Sequence, residues 1–275
     1  MKIPARSIPL HATTSLAPMA GMPWFCADSF PSSLSMLKEL GYSGIDLALR
    51  DPSDARKAEV SELLAHFGLS LCSIVTGPAR KIDGLSLSDS RTALLAIARV
   101  RRHIEYASQC GAKVVLGWIL GQLLDNEDRA ASESVLASSL RECSTIATAL
   151  NVAILLEPIN RYESNVARSA AEALRLNEMS GGGFSLLLDT FHMNIEEADP
   201  LGTARAVGTL TRHVHLADSN RLVPGKGHFP FIEFLNEMEK VGFDGTFSVE
   251  ALPIPDTHRA AHAAISMWRS WRINS

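Results

Sequence analysis

The sequence predicts an α/β fold, a (β/α)8 TIM barrel in which residues 1–275 form a single domain. Short apolar runs rich in β-branched residues alternate along the chain with longer segments of helical periodicity, at a spacing of about thirty residues. The apolar runs are nearly continuous, which is typical of parallel strands covered on both faces. Eight such units in 275 residues match the size of a closed barrel.

The eight apolar runs are the strand candidates. An open, doubly wound sheet is the main alternative to the barrel, and it would bring a glycine-rich phosphate turn after its first strand. Neither GxGxxG nor GxxxxGK(S/T) follows the first run. The closed barrel is therefore preferred, with strands predicted at residues 8–14, 44–50, 69–77, 112–120, 152–159, 184–191, 212–218 and 246–252.

Helix signals fill the intervals between these runs. The first helix is expected to begin after Ser29 as its N-cap, with Pro31 just inside and Gly41 as its stop. The last helix begins with Asp256 or Thr257 as the cap. The helix at 200–210 has no obvious stop residue, and the others are predicted from similar start and stop signals. The full set after the first is 54–66, 90–110, 129–150, 169–180, 200–210, 231–241 and 256–271.

Composition limits the possible partners and location. Hydrophobic residues make up 46% of the chain and its net charge is −4, so a sizeable core is possible and no basic surface is available for nucleic acid. No apolar run approaches the length of a membrane span, so we expect no membrane partner. The cysteines are widely spaced without a CxxC pair, which favours free thiols in the cytoplasm; they are Cys26, Cys72, Cys110 and Cys143.

Four acidic or imidazole residues lie near the ends of four successive strand candidates: Glu157, Asp189, His215 and Glu250. The carboxyl ends of barrel strands meet at one face, where the chemistry of such barrels collects. Each residue alone has a structural explanation, such as a helix cap, a buried histidine or a surface ion pair. Together they would bury several charges without a cation, which is costly, so the sequence predicts that they converge on one metal ion.

The ligand set indicates the kind of metal. Three carboxylates and one imidazole suit an oxygen-preferring divalent cation with open positions for substrate oxygens better than a closed structural zinc site. We therefore expect one divalent metal in this barrel.

Several segments closely resemble the ketose 3-epimerase branch, that of tagatose and psicose 3-epimerases, of the xylose-isomerase-like sugar isomerase and epimerase superfamily. They are LLEPINRYESN, LLLDTFHMNIEE, HVHLADSNR, PGKGH and SVEALP, and the resemblance is strongest over residues 150–255. It implies that one divalent metal, most often Mn²⁺, with Mg²⁺, Co²⁺ or Zn²⁺ as alternatives, is held by Glu157, Asp189, His215 and Glu250. It also implies that the two glutamates move the proton and that Glu163, His192 and Arg221 bind the substrate.

The implied chemistry is consistent with these residue types. Removal of a proton next to a ketone leaves an enediolate that needs a positive centre, and two carboxylates can exchange protons on opposite faces of the sugar. Trp118 could stack on the sugar, although a packing role fits equally well. Weaker pocket candidates are Asp46, Arg50 and His228.

The sequence leaves the reaction and the sugar open. An aldose–ketose isomerase of the hydroxypyruvate type and an inosose-type dehydratase would use the same site, and an apurinic-site endonuclease-like metal hydrolase shares the barrel. The endonuclease needs further histidines on the early strands, and residues 44–50 and 69–77 contain none. The expected partner is a small-molecule sugar, and the resemblance implies a homodimer or homotetramer.

Overall fold

Eight parallel strands close into one barrel in the computed structural model, which describes residues 8–124 and 129–274. Each strand pairs with its neighbours in sequence, and the last strand pairs with the first. This confirms the predicted (β/α)8 barrel. The strands are β1 (Leu10–Ser15), β2 (Gly44–Ala48), β3 (Ser70–Val75), β4 (Lys113–Leu116), β5 (Ile154–Leu156), β6 (Phe184–Asp189), β7 (Thr211–Leu216) and β8 (Thr246–Val249).

Helices surround the barrel and occupy every interval between strands in the described part of the chain. They are α1 (Phe30–Leu40), α2 (Lys57–Phe67), α3 (Gly77–Asp83), α4 (Ala93–Cys110), α5 (Arg129–Ala149), α6 (Ala170–Met179), α7 (Thr190–Glu196), α8 (Pro200–Val207), α9 (Phe231–Lys240) and α10 (Thr257–Asn274).

The first helix shows how local sequence sets an element. The side chain of Ser29 accepts a hydrogen bond from the backbone N–H of Ser32, and Pro31 lies within the first turn. Gly41 ends the helix in the left-handed region with φ of 96°, where its N–H donates to the carbonyls of Leu37 and Lys38. The predicted start and stop residues of α1 are confirmed.

Two short helices differ from the prediction, because apolar runs continue past the ends of their strands. The run 69–77 ends as a strand at Val75, and Gly77 and Pro78 begin α3. The run 184–191 ends at Asp189, whose carboxylate accepts the backbone N–H of Phe191 at 2.8 Å and so caps α7. Continuous apolar character does not distinguish a strand from the first turn of a buried helix.

Smaller corrections concern two helix ends. Residues Pro52–Asp54 form a separate 3-10 turn capped by Asp51, so α2 begins at Lys57 rather than at residue 54. The helix predicted at 200–210 ends at Val207, and Gly208–Leu210 continue as a 3-10 turn.

The main core lies between the barrel and the helices, and a smaller apolar cluster fills the carboxyl end of the barrel. All four cysteines are free thiols, as predicted. None of the described helices has the length and apolar character needed to cross a membrane. The small cluster consists of Met22, Trp24, Ala48, Val75, Val115, Leu155 and Leu187.

Candidate active site

The four residues singled out by the sequence lie together at the carboxyl end of the barrel. Glu157 directly follows β5, Asp189 ends β6, His215 is the penultimate residue of β7, and Glu250 directly follows β8. The pairing of β6 with β7 places Asp189 opposite His215. Each side chain offers one ligand atom, and these atoms all lie within 4.8 Å of one another.

His215 lies at the centre of this group and is fully buried. Its Nδ1 is 3.2 Å from Glu157 Oε1, 3.4 Å from Glu250 Oε2 and 4.0 Å from Asp189 Oδ2. The same ring nitrogen therefore faces all three carboxylates, as expected if the four side chains share one ion.

Arg221 closes one side of the group. Its guanidinium donates to Asp189 Oδ2 at 2.6 Å and to Glu250 Oε2 at 2.5 Å, so it bridges two of the three carboxylates. The ring of Phe191 lies against the guanidinium, with its centre 4.9 Å from Cζ. Arg221 is thus fixed within the cluster, and its charge neutralises part of the negative charge.

The two glutamates differ in their electrostatic surroundings. Burial raises the pKa of Glu157, and the negative charges of Glu250 and Asp189 raise it further against the opposing effect of His215. Burial alone would also raise the pKa of Glu250, but the charges of His215 and Arg221 lower it to about 2. The two carboxyl groups therefore differ in how readily they hold a proton, Glu157 more readily than Glu250.

The donor chemistry fits a divalent metal. Three buried carboxyl groups face one guanidinium and one imidazole. Burial, and to a lesser extent repulsion by Glu250 and Asp189, raises the pKa of Glu157, and a cation placed among the three would relieve that repulsion. Three oxygen donors and one nitrogen donor match the preferences of Mn²⁺ and Mg²⁺ more closely than those of a thiolate-rich structural zinc site. This group of four side chains can therefore hold one metal ion.

A second group of side chains is arranged beside the first. The amide nitrogen of Asn160 donates to Glu163 Oε1 at 2.8 Å and to His192 Nδ1 at 2.7 Å. Since Nδ1 of His192 accepts, its Nε2 carries the proton and is 4.0 Å from Asp189 Oδ2. The indole N–H of Trp118 donates to Glu163 Oε2 at 2.8 Å. Both oxygens of Glu163 are therefore held in place.

Glu163 lines a neighbouring cleft that shares Trp118 with the main one. The main cleft opens onto members of both groups. Its polar side presents Glu157, His192, Arg221 and Glu250, and the rest of its lining is mainly apolar. A small polar ligand with one apolar face matches such a cleft. The apolar wall is formed by Met22, Trp24, Val75, Trp118 and Ile159.

Comparison with known proteins assigns this barrel to a protein family. The profile of the xylose isomerase-like TIM barrel family matches residues 34–271. The chain belongs to this family.

Members of the xylose isomerase-like family that resemble this chain include sugar epimerases. A ketose 3-epimerase of Arthrobacter globiformis is 26% identical over 265 residues, which cover 92% of this chain and 90% of that protein. A D-psicose 3-epimerase of Enterocloster bolteae is 32% identical over 145 residues, and this match covers 52% of this chain and 48% of that protein. The solved structure of a D-allulose 3-epimerase from Methylomonas sp. in complex with D-allulose has a TM-score of 0.80 at 19% identity and covers 96% of each chain. At this identity the structural match shows a shared fold.

Three of the weaker sequence candidates lie outside the cleft of this xylose isomerase-like barrel. Arg50 is exposed and forms an ion pair with Asp83 at 2.7 Å. His228 is exposed, and its Nδ1 lies 3.0 Å from Ser219 Oγ. Asp46 is fully buried beneath His215 and does not reach the cleft. A position on an early strand or in a nearby loop was not enough to predict that these residues line the pocket.

Sequence reasoning also missed residues that shape the site. Gly117 lies against Glu157, and a Cβ at this position would be 2.3 Å from Glu157 Oε2. Asn160 orients two of the predicted substrate residues. His213 lies two residues before His215 on β7 and is buried with its Nε2 2.9 Å from Asp46 Oδ2. Alternation along a strand, which turns residues two apart to the same face, could have identified His213.

Asp218 organises the loop that carries Arg221. Its Oδ1 accepts the backbone N–H groups of Ser219 and Phe229, and its Oδ2 accepts that of Gly225. Burial alone would raise its pKa, but these backbone hydrogen bonds lower it below the usual value. Arg221 has φ of 62°, a left-handed conformation uncommon for non-glycine residues, and its N–H donates to the carbonyl of Asp218 at 2.8 Å. The loop thus holds Arg221 in a demanding backbone conformation.

Two buried groups beneath His215 differ in charge. Burial lowers the pKa of His213 to about 4, so it is neutral at pH 7. Burial alone would raise the pKa of Asp46, but His213 and His215 lower it well below the usual value, so this enclosed carboxylate is ionised. The barrel therefore contains a buried anion directly beneath the candidate metal ligands.

Proposed function

We propose that this chain is a metal-dependent epimerase of a free ketose that exchanges the C3 proton through a cis-enediolate with two glutamates. The single observation that carries the proposal is the convergence of Glu157, Asp189, His215 and Glu250 in one buried group that opens into a cleft. The relatives support the reaction, since several of them are named ketose or psicose 3-epimerases.

Binding and orientation of the sugar are assigned to the second group of side chains. Nε2–H of His192 and the guanidinium of Arg221 donate to substrate oxygens, and Glu163 accepts from a hydroxyl group. Asn160 and Trp118 hold the carboxylate of Glu163 through their hydrogen bonds to its two oxygens. The ring of Trp118 stacks on the apolar face of the sugar. Such fixed donors and acceptors bring C3 between the two glutamates.

Proton transfer is assigned to Glu157 and Glu250. One glutamate removes the C3 proton, and the electron pair of the C–H bond moves into the C2–C3 bond while the carbonyl π pair moves onto its oxygen. The other glutamate, which enters the reaction protonated, then delivers its proton to C3 from the opposite face, and the carbonyl reforms with C3 inverted. When bound, the divalent cation supplies positive charge beside the substrate oxygens. Arg221 adds a second positive charge and fixes Glu250 through its hydrogen bond.

The metal is proposed to be Mn²⁺, with Mg²⁺, Co²⁺ or Zn²⁺ as alternatives, held by the four converging side chains. An unphosphorylated ketose is the proposed substrate, and the allulose complex of the Methylomonas relative supports a free sugar of this class. The location in the cytoplasm and the assembly as a homodimer or homotetramer stay predictions.

Isomerisation between adjacent carbons and dehydration remain the second candidates, because both begin with the same proton removal. The endonuclease-like hydrolase is not favoured. Within the described residues, groups able to hold an ion are the cluster of four and a second set of Asp46, His213 and His215, and this second set is sealed within the barrel.

The experiment is metal analysis of the purified protein followed by a product screen. Metal-free protein is prepared with chelator, reloaded with each divalent cation, and incubated with free ketoses, aldoses and a cyclic polyol ketone. We expect Mn²⁺ to restore activity and a ketose to yield its C3 epimer. Formation of an aldose or an enone would assign the alternative reactions, and full activity of the metal-free protein would refute the metal requirement.

A further inference from the structure

A line of polar side chains crosses the closed interior of the barrel below the metal ligands. Asp46 on β2, His213 and His215 on β7, and Ser73 on β3 are all fully buried. β2 and β7 are not neighbours in the sheet, so the contacts between their side chains span the interior. Buried polar groups need partners, and these side chains supply them to one another.

Asp46 accepts two hydrogen bonds and faces a third polar group. Its Oδ1 accepts the hydroxyl proton of Ser73 at 2.7 Å. Its Oδ2 is 2.9 Å from Nε2 of His213 and 3.5 Å from Nε2 of His215. An ionised carboxylate only accepts, so each imidazole nitrogen that faces it carries a proton.

His213 is fixed by a hydrogen bond on its other side. Nδ1 of His213 is 2.6 Å from the hydroxyl of Thr246, which donates to it. Lys113 Nζ lies 3.4 Å from the same hydroxyl oxygen and donates to it. The resulting chain of hydrogen bonds runs in one direction: Lys113 donates to Thr246, Thr246 donates to His213, and His213 donates to Asp46.

The contact of His215 with Asp46 is longer than an ordinary hydrogen bond. Even so, Nε2 of His215 has no hydrogen-bond partner in the described part of the protein, and Asp46 Oδ2 is the acceptor it faces. Nδ1 faces the three carboxylates, so it is the nitrogen that would ligate a cation placed among them, and a ligating nitrogen carries no proton. In the metal-bound, neutral ring the proton is therefore on Nε2, which faces the carboxylate of Asp46.

A second metal ion in this set is the competing explanation, since Asp46, His213 and His215 also lie within reach of a common ion. Both nitrogens of His213 already have hydrogen-bond partners, Thr246 and Asp46. The three side chains are fully buried, so an ion among them would have no contact with solvent. The geometry of the three side chains is that of a hydrogen-bonded network that holds Asp46 beside His215.

We propose that Asp46, held in place by His213, is a positioning residue that fixes the tautomer and orientation of His215 and so tunes the affinity of the metal centre. The inference rests on the proposed metal site. Carboxylates that accept from a ligating imidazole raise its basicity and restrict its rotation, and their loss weakens metal binding by about 10- to 100-fold.

The test compares the parent protein with Asp46→Asn and Thr13→Val. Thr13 is the neighbour of Asp46 on β1, is fully buried, and its hydroxyl makes no hydrogen bond to any described residue, so Thr13→Val is a matched interior control. Mn²⁺ dissociation constants and stoichiometries of metal-free proteins are measured by calorimetry. We expect one Mn²⁺ per chain in the parent, about 10- to 100-fold weaker binding by Asp46→Asn, and an unchanged constant for Thr13→Val.

A second measurement needs no variant. In the diamagnetic Zn²⁺-loaded parent labelled with ¹⁵N-histidine, long-range ¹H–¹⁵N spectra are expected to show the His215 proton on Nε2. A proton on Nδ1 would overturn the proposal, as would unchanged Mn²⁺ affinity in Asp46→Asn. Two ions in the parent and one in Asp46→Asn would replace it with a second metal site. A parent that takes up neither Mn²⁺ nor Zn²⁺ would refute the proposed metal centre itself, a different result from a parent that binds metal independently of Asp46.

Discussion

Gly117 lies so close to the carboxylate of Glu157 that a Cβ at this position would be 2.3 Å from Oε2. The atom it would displace is the end of a flexible side chain rather than backbone. Ile159 Cδ1, 3.3 Å from the same Cβ, is likewise the end of a flexible side chain. A methyl group at residue 117 would therefore move the carboxylate without displacing backbone. Because Gly117 has no side chain, the carboxylate of Glu157 can lie directly against the end of β4.

The first prediction follows from that contact. Gly117→Ala is expected to reduce kcat by about 100-fold, since a displacement of about 1 Å is enough to misalign a catalytic group. The melting temperature should change little. Gly202→Ala is the matched control, because its Cβ would also meet a flexible carboxylate, 2.4 Å from Asp199 Oδ2, but on the surface. Steady-state kinetics and calorimetry check both; equal kinetics of the two variants would contradict the explanation.

The second prediction concerns the two glutamates. Glu157→Gln and Glu250→Gln keep the size of each side chain but remove its basic oxygen, so epimerisation should fall by about 10²- to 10⁴-fold. Each variant keeps one base, and in D₂O it should exchange the C3 proton of one epimer without inverting it. Glu237→Gln, a surface residue paired with Lys240, should behave as the parent. Turnover within a few-fold of the parent for Glu250→Gln would refute its role.

The third prediction concerns metal removal. A cation that binds the folded but not the unfolded chain adds about 2.7 kcal/mol at 100 times its dissociation constant. Chelator-treated protein should therefore melt several degrees lower than protein with saturating Mn²⁺. Asp189→Asn should lose most of this shift, and Asp199→Asn, a change on the surface, should keep it. An identical melting temperature of the parent with and without Mn²⁺ would argue against the metal site.

The fourth prediction concerns the pH dependence of the free energy of unfolding. Asp218 contributes to it because its pKa is lowered in the folded protein. A lowered folded pKa stabilises the protein above the unfolded value of about 3.9, and this contribution is lost as the pH falls through the folded pKa. Asp218→Asn leaves the Gly225 N–H without its acceptor and should cost about 1–3 kcal/mol at pH 7.

The measurement is urea unfolding of the parent and of Asp218→Asn from pH 7 to pH 3. The difference between their free energies of unfolding should be constant above pH of about 5 and shrink below pH of about 4. Asp244→Asn, at an exposed carboxylate, is the control. A difference that is independent of pH would show that the variant acts through packing instead.

Some features could be predicted because their signals are local. The strand runs and the caps of α1 depend on residues a few positions apart, so eight βα units were visible along the chain. Glu157 and Glu250 could be placed at one face because each follows the end of a parallel strand. The helices α3 and α7 escaped prediction because each has seven residues, about two turns, which is too few to show a helical period.

The remaining features depend on distant partners. The role of Asn160 follows from its contact with His192, and that of Gly117 from its contact with Glu157. Both contacts form only when the barrel closes. Asp46 was expected to line the pocket, but its strand position places it one layer deeper, beneath His215.

The sequence by itself determined the succession of strands and helices and the residue types at the strand ends, because periodicity and capping are properties of neighbouring residues. Only the tertiary structure decided which nitrogen of His215 faces the carboxylates, which carboxylates Arg221 bridges, and which buried anion lies below them. Those choices depend on distances of a few ångströms between side chains far apart in the chain, and such distances exist only once the barrel is closed.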